Sequence, residues 1–63
     1  MQEIDREQAE WLVSNNDVLN RRLQQNNDEL VIFLTLANRQ VCVVKYYPEK
    51  LSKSYFLQIP NGN

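Results

Sequence analysis

Two apolar runs dominate the second half of the chain. Residues 29–37 and residues 41–47 are rich in aliphatic, β-branched and aromatic side chains, which favour β-strands. Asn38 and Arg39 lie between the runs and predict a hairpin with a two-residue loop, because Asn tolerates the positive φ that such a loop needs. A third strand is predicted at residues 54–59, after a turn and a short loop.

The predicted hairpin is apolar on both of its faces. A two-residue loop places Leu36 opposite Val41 on one face and Thr35 opposite Cys42 on the other. A single helical segment covers only one face of a small sheet, so the second face becomes an exposed apolar patch of the kind that marks a contact surface. The residues predicted to form this interaction surface are Val31, Phe33, Val44 and Tyr46.

The first half of the chain predicts helix over residues 5–25. Asp5 and Gln8 have the spacing of a capping box at the start of a helix. Residues 26–28, Asn-Asn-Asp, end the helical pattern. Residues 14–17 are of types that favour caps over helix interiors, so the helix either continues through them or breaks there and reorients.

A helical wheel gives this segment two apolar stripes. One stripe faces the sheet, and the second is formed by residues spaced by seven. In an unbroken helix, the second stripe would meet a partner. This second stripe consists of Ile4, Trp11 and Val18.

These patterns predict an α+β fold in one domain, residues 1–63. An N-terminal helix, continuous or broken near residues 14–17, packs on a three-stranded antiparallel meander at residues 29–37, 41–47 and 54–59. The tail at residues 61–63 is predicted to fray.

The residue types needed for catalysis or for a bound group are scarce. The chain has no histidine, so no histidine general base is available, and its one glycine, Gly62, excludes a phosphate-binding loop. Its one cysteine, Cys42, allows no intrachain disulfide, and zinc would need a very unusual ligand set. We therefore expect no enzyme activity, no cofactor and no metal.

The short chain has few ways to stabilise itself. A domain of 63 residues buries only about 60% of its surface and is marginal without disulfides, a metal or a partner chain. We therefore expect a homodimer. No apolar run is long enough to span a membrane, and the first residues lack the basic and apolar regions of a signal peptide, so we expect the cytoplasm.

Two function classes remain. An α-then-β unit without catalytic groups is typical of small accessory or inhibitor proteins, including those of phages and mobile elements, and we favour a non-enzymatic, self-associating module of this type that acts on another protein. The alternative is a nucleic-acid-binding regulator, which the isoelectric point of about 5.2 disfavours. Its candidate contacts are Arg21, Arg22, Lys45, Lys50 and Lys53.

Overall fold

The computed structural model describes residues 1–59, which form one α-helix, a short 3-10 turn and a single antiparallel sheet. The strand order across the sheet is β1-β5-β4-β3-β2, and every neighbouring pair is antiparallel. The elements in chain order are β1 (Gln2–Ile4), α1 (Arg6–Asn15), β2 (Val18–Gln25), β3 (Leu30–Leu36), β4 (Val41–Tyr47), the 3-10 turn (Pro48–Lys50) and β5 (Ser52–Gln58). The predicted α+β class is confirmed.

Helix α1 begins at the predicted capping box. The Gln8 amide donates to the Asp5 side chain at 2.8 Å, and the Asp5 amide donates to the Gln8 side chain at 3.1 Å. The helix ends after ten residues, where the side-chain amides of Asn15 and Asn16 donate to two carbonyls of its last turns at 2.7 and 3.0 Å. The asparagines in residues 14–17 therefore terminate the helix.

The prediction that residues 18–25 are helical is wrong. Val18–Gln25 is strand β2, which pairs with β3 along its length. Residues 26–29 close a hairpin, in which the Asn26 amide donates to the Glu29 carbonyl at 2.9 Å. Pairing with β3 satisfies the backbone of this segment and outweighs its helix-compatible spacing.

The predicted meander forms the centre of a larger sheet. Its three strands are β3, β4 and β5, and the third spans Ser52–Gln58 where residues 54–59 were predicted. Strand β2 adds to one side, and β1 pairs with β5 on the other, so the sheet has five strands and the predicted three understate it. The predicted fraying of residues 61–63 lies outside the described residues.

The β3–β4 hairpin has a three-residue loop, Ala37 to Arg39, in place of the predicted two-residue loop. The Arg39 amide donates to the Leu36 carbonyl at 3.0 Å, and the Leu36 amide donates to the Gln40 carbonyl at 2.9 Å. Arg39 has φ 73°, the left-handed residue that completes this type of loop.

The longer loop shifts the hairpin register by one residue. Val41 pairs with Thr35 and Cys42 with Leu34, so the predicted pairs Leu36–Val41 and Thr35–Cys42 are wrong. A shift by one residue moves every side chain of one strand to the other face relative to its partner.

The core lies between α1 and the sheet. Its buried residues are Ile4, Ala9, Leu36 and Cys42, and the half-buried side chains packed against them come from α1 and strands β2 to β5. We call the side of the sheet that carries α1 the helix-side face, and the other side the helix-free face. Helix α1, the one α-helix among residues 1–59, is too short and too polar to cross a membrane.

Candidate functional site

An apolar row crosses the whole sheet on the helix-side face. The registers of the four strand pairs place one residue from each strand in line. From β1 to β2 these residues are Ile4, Tyr55, Val44, Ile32 and Leu23. Exposure rises along the row, from 9% for Ile4 to 63% for Leu23, so one end is core and the other is surface.

The exposure gradient arises because α1 is short and lies to one side. The helix packs mainly against β5 and β4, and a groove of about 380 Å³ runs along its side over these two strands. Val13 forms the helix wall of this groove, and Val44 and Tyr55 form its floor. Beyond the groove lies a set of apolar side chains on the helix-side face, which we call the uncovered surface. It consists of the exposed Leu23 and the half-buried Leu30, Ile32 and Tyr46, and it meets the groove at the half-buried Val44.

Basic side chains border the uncovered surface. Arg21 pairs with Leu34, which packs against the core, so Arg21 lies on the helix-side face. Its side chain is exposed. Lys53 pairs with Tyr46 on the same face, and its Nζ lies 6.0 Å from the centre of the Tyr46 ring. The border therefore offers positive charge on either side of an apolar centre.

The outer side of α1 has the opposite charge. Trp11 lies two residues, or about 200° of helix rotation, from the buried Ala9 and is 62% exposed. Glu7 lies about 40° from Trp11 around the helix, and Glu10 lies further round, at the groove. The Arg6 Nε donates to Glu10 at 2.8 Å, and this hydrogen bond and the charge of Glu10 raise the pKa of Arg6.

The helix-free face covers itself. Val43 is fully buried there although no helix lies over it, because Phe33 and Phe56 flank it on the neighbouring strands. The Arg22 guanidinium lies 4.8 Å from the centre of the Phe33 ring, and Lys45 Nζ lies 5.0 Å from that of Phe56. These cation–π contacts occupy the aromatic rings with the chain's own cations.

The four residues predicted as a sheet interaction surface do not share a face. Val31 and Phe33 lie on the helix-free face, where Val31 is buried. Val44 and Tyr46 lie on the helix-side face, opposite Ile32 and Leu30. The one-residue register shift separates the two pairs.

The predicted second stripe of the helix does not exist as a stripe. Ile4 lies in β1 and is buried beneath α1, and Val18 begins β2 and packs against the core. Trp11 alone is on the helix, where it lies beside a shallow pocket shared with Ile4 and Leu57.

The predicted nucleic-acid contacts are also divided. Arg22 and Lys45 lie together on the helix-free face, whereas Arg21 and Lys53 lie on the helix-side face. Lys50 lies in the 3-10 turn. The structure therefore divides the four strand residues between the two faces and does not group the five on one surface.

The chemistry of a nucleophile or metal site is weak in the described chain. Cys42 is buried, and burial raises the pKa of its thiol, which disfavours the reactive thiolate. Within residues 1–59, no three Cys, Asp or Glu side chains are grouped to hold a metal ion.

Sequence reasoning missed Leu23 and Ile32, the outer end of the apolar row. The available signal was Asn27-Asp28, a two-residue turn between two segments that could pair as strands. Helical spacing upstream concealed it, because Leu19 and Leu23 also suit a helix face.

No family model matches the sequence, and neither a curated protein nor a solved structure matches the chain.

Proposed function

We propose that the protein is a non-enzymatic interaction module that self-associates through the uncovered surface. The observation that carries the proposal is the apolar row across five strands, of which α1 covers only the β1 end. An apolar surface of this extent on so small a domain is typical of a contact site. A second copy of the chain is the occupant that its charges and shape favour.

In the proposed dimer, the helix-side faces of the two protomers face each other. The two-fold axis lies between them and runs parallel to the strands. This axis places β2 and β3 of each protomer over α1 of the other, because it reverses the strand order of the second sheet. Trp11 on the outer side of each helix then meets Leu23 and Ile32 of the partner sheet. Glu7, which lies next to Trp11 around the helix, faces the partner's Arg21 on β2, so charge and apolar surface are complementary in one arrangement.

The energetics of so small a domain support association. Among residues 1–59, only six are buried hydrophobics, so the protomer has a small core. Complete burial of a side chain such as Leu23 contributes roughly 1.5–3 kcal/mol, and the two-fold axis doubles every contact. Trp is also the residue type that most often dominates the binding energy of an interface.

The wider role is that of a small accessory or inhibitor protein acting in the cytoplasm, where the lone Cys42 stays reduced. The competing role, nucleic-acid binding, has less support. The rings of Phe33 and Phe56 are already covered by Arg22 and Lys45, and the basic residues are divided between two faces.

The proposal is tested by sedimentation equilibrium on the parent chain, Leu23→Asp and Leu51→Asp. Leu51 is the matched control, because it is an even more exposed leucine, at 81%, and lies outside the uncovered surface. We expect the parent and Leu51→Asp to sediment as dimers and Leu23→Asp as a monomer of 7.5 kDa. Circular dichroism checks that each variant is folded.

Two outcomes would overturn the proposal. One is a parent chain that stays monomeric at about 100 μM, well above the dissociation constant of a specific dimer. The other is micromolar binding to single- or double-stranded DNA or RNA that weakens steeply between about 50 and 200 mM salt, which would favour the nucleic-acid role.

A further inference from the structure

Strand β2 forms a long open edge of the sheet. It spans Val18–Gln25, whereas β1 at the other edge has only three residues. Every residue of β2 after Val18 is exposed, and β3 is its only neighbouring strand in the described sheet. An edge of this length presents backbone groups that another strand can pair with.

The free backbone groups of β2 follow from its pairing with β3. The Asn26 amide donates to the Glu29 carbonyl, so these two residues form a hydrogen-bonded pair at the hairpin end. Antiparallel pairs alternate between bonded and non-bonded, and the register is regular from Asn20 to Gln25. The amides and carbonyls of Arg21, Leu23 and Gln25 therefore point away from the sheet, towards the open edge.

The side chains of β2 define what can bind there. Arg21 lies on the helix-side face and Arg22 on the helix-free face, so the edge carries positive charge on both faces. Leu23 is apolar and ends the row across the sheet. A strand added to this edge meets all three side chains as cross-strand neighbours.

A second β2 strand is a poor occupant. Antiparallel pairing of two β2 strands over most of their length places Arg21 opposite Arg21 or Arg22 opposite Arg22. Like charges directly opposite each other destabilise a strand pair. The two arginines therefore oppose self-pairing at the edge and favour a partner of opposite charge.

We propose that the β2 edge binds an extended acidic segment of another protein as a sixth, antiparallel strand. Read from its N-terminus, the segment has an apolar residue opposite Leu23, then an acidic residue opposite Arg22, then an acidic residue opposite Arg21. The apolar residue extends the row of the helix-side face by one strand. Each carboxylate pairs with one guanidinium, on opposite faces of the enlarged sheet.

The segment must come from a different protein. Nowhere in the 63 residues is an apolar residue followed directly by two acidic residues, so a second copy of this chain does not carry the motif. The proposed dimer contact uses side chains of the helix-side face and leaves the backbone of the β2 edge open, although the side chains of Arg21 and Leu23 belong to both contacts.

The test mixes the full chain with the blocked hexapeptide Thr-Thr-Ile-Glu-Glu-Thr. Binding is monitored by NMR through the hydrogen exchange of the protein's backbone amides. In the free protein, we expect the amides of Arg21, Leu23 and Gln25 to exchange fast and those of Arg22 and Gln24 to exchange slowly. The peptide should protect the three fast amides and shift their resonances. N-methylation of the peptide Ile should abolish binding, whereas N-methylation of its first Glu, whose amide points away from β2, should leave binding intact.

Charge reversal supplies the specificity control. The double variant Arg21→Glu/Arg22→Glu should bind the hexapeptide at least about tenfold more weakly, because it loses two cross-strand ion pairs and places like charges opposite each other. It should gain binding to the Lys-Lys version of the peptide. The double variant Lys45→Glu/Lys50→Glu changes the net charge equally at two residues that lie outside β2 and outside the uncovered surface, and it should bind as the parent does.

Three results would overturn the proposal. The first is peptide binding that leaves the amides of Arg21, Leu23 and Gln25 unprotected. The second is equal weakening of peptide binding by both double variants. The third is no binding of the peptide at millimolar concentration. Protection of the same amides by a single-stranded oligonucleotide but not by the peptide would likewise reject it. Sedimentation of each variant reports dimerisation separately, because Arg21 also belongs to the proposed dimer contact.

Discussion

The loop of the β3–β4 hairpin makes a sharp prediction about Arg39. With φ 73°, Arg39 occupies the left-handed region, which costs a non-glycine residue roughly 1–2 kcal/mol. Arg39→Gly removes that cost but loses about 0.5–1 kcal/mol through the greater freedom of glycine in the unfolded chain. The expected net gain in the free energy of unfolding is about 0.5–1 kcal/mol, or about 4 °C in Tm for a domain of this size.

Two neighbouring substitutions serve as controls. Ala37 and Asn38 have negative φ, so glycine at either position relieves no strain and brings the cost of greater freedom in the unfolded chain. Asn38→Gly also loses the hydrogen bonds of the Asn38 side chain with Gln40, at 2.6 and 3.0 Å. Thermal unfolding of all three variants at one protein concentration should give a higher Tm for Arg39→Gly and a lower Tm for the other two. In a two-residue loop both Asn38 and Arg39 need positive φ, so a rise in Tm for Asn38→Gly would refute the three-residue loop and its register.

Three further predictions concern Val43, Cys42 and Tyr47. Val43→Ala should cost about 2 kcal/mol in urea denaturation, because it removes two methyl groups from the packed helix-free face; a cost near zero would mean that this face is loosely packed. The Cys42 thiol should react with a thiol reagent only as fast as the protein opens, and rapid stoichiometric labelling of native protein would contradict its burial. Stability should fall above about pH 9, because the folded state raises the pKa of Cys42 by burial and that of Tyr47 by desolvation and by the Glu29 carboxylate beside it. The folded state then holds protons that the unfolded state has already released, and a free energy of unfolding that stays flat from pH 8 to about pH 11 would contradict these shifts.

The sequence predicted the parts of the fold that local chemistry decides. The capping box at Asp5 acts within four residues, and the central strands have strong β-propensity, so both were found. Strand β2 was missed because its composition suits a helix equally well, and only pairing with β3 decides between the two. Short-range signals cannot show which segment a strand will pair with.

The candidate site depended on one residue of register. A two-residue loop and a three-residue loop around Asn38 differ little in sequence preference, yet they exchange the faces of β4 relative to β3. The predicted patch of Val31, Phe33, Val44 and Tyr46 was therefore divided between faces. The position of α1 over β5 and β4, which leaves Leu23 and Ile32 uncovered, is a packing result that no local pattern contains.

The most direct test of self-association through the uncovered surface is an isotope-filtered NOE experiment. Equal amounts of labelled and unlabelled chain are mixed, so that only contacts between protomers are detected. The account predicts intermolecular NOEs between the Trp11 indole and the methyl groups of Leu23 and Ile32. Intermolecular NOEs confined to Phe33 and Phe56 on the helix-free face, or none at a concentration where the chain is dimeric, would contradict it.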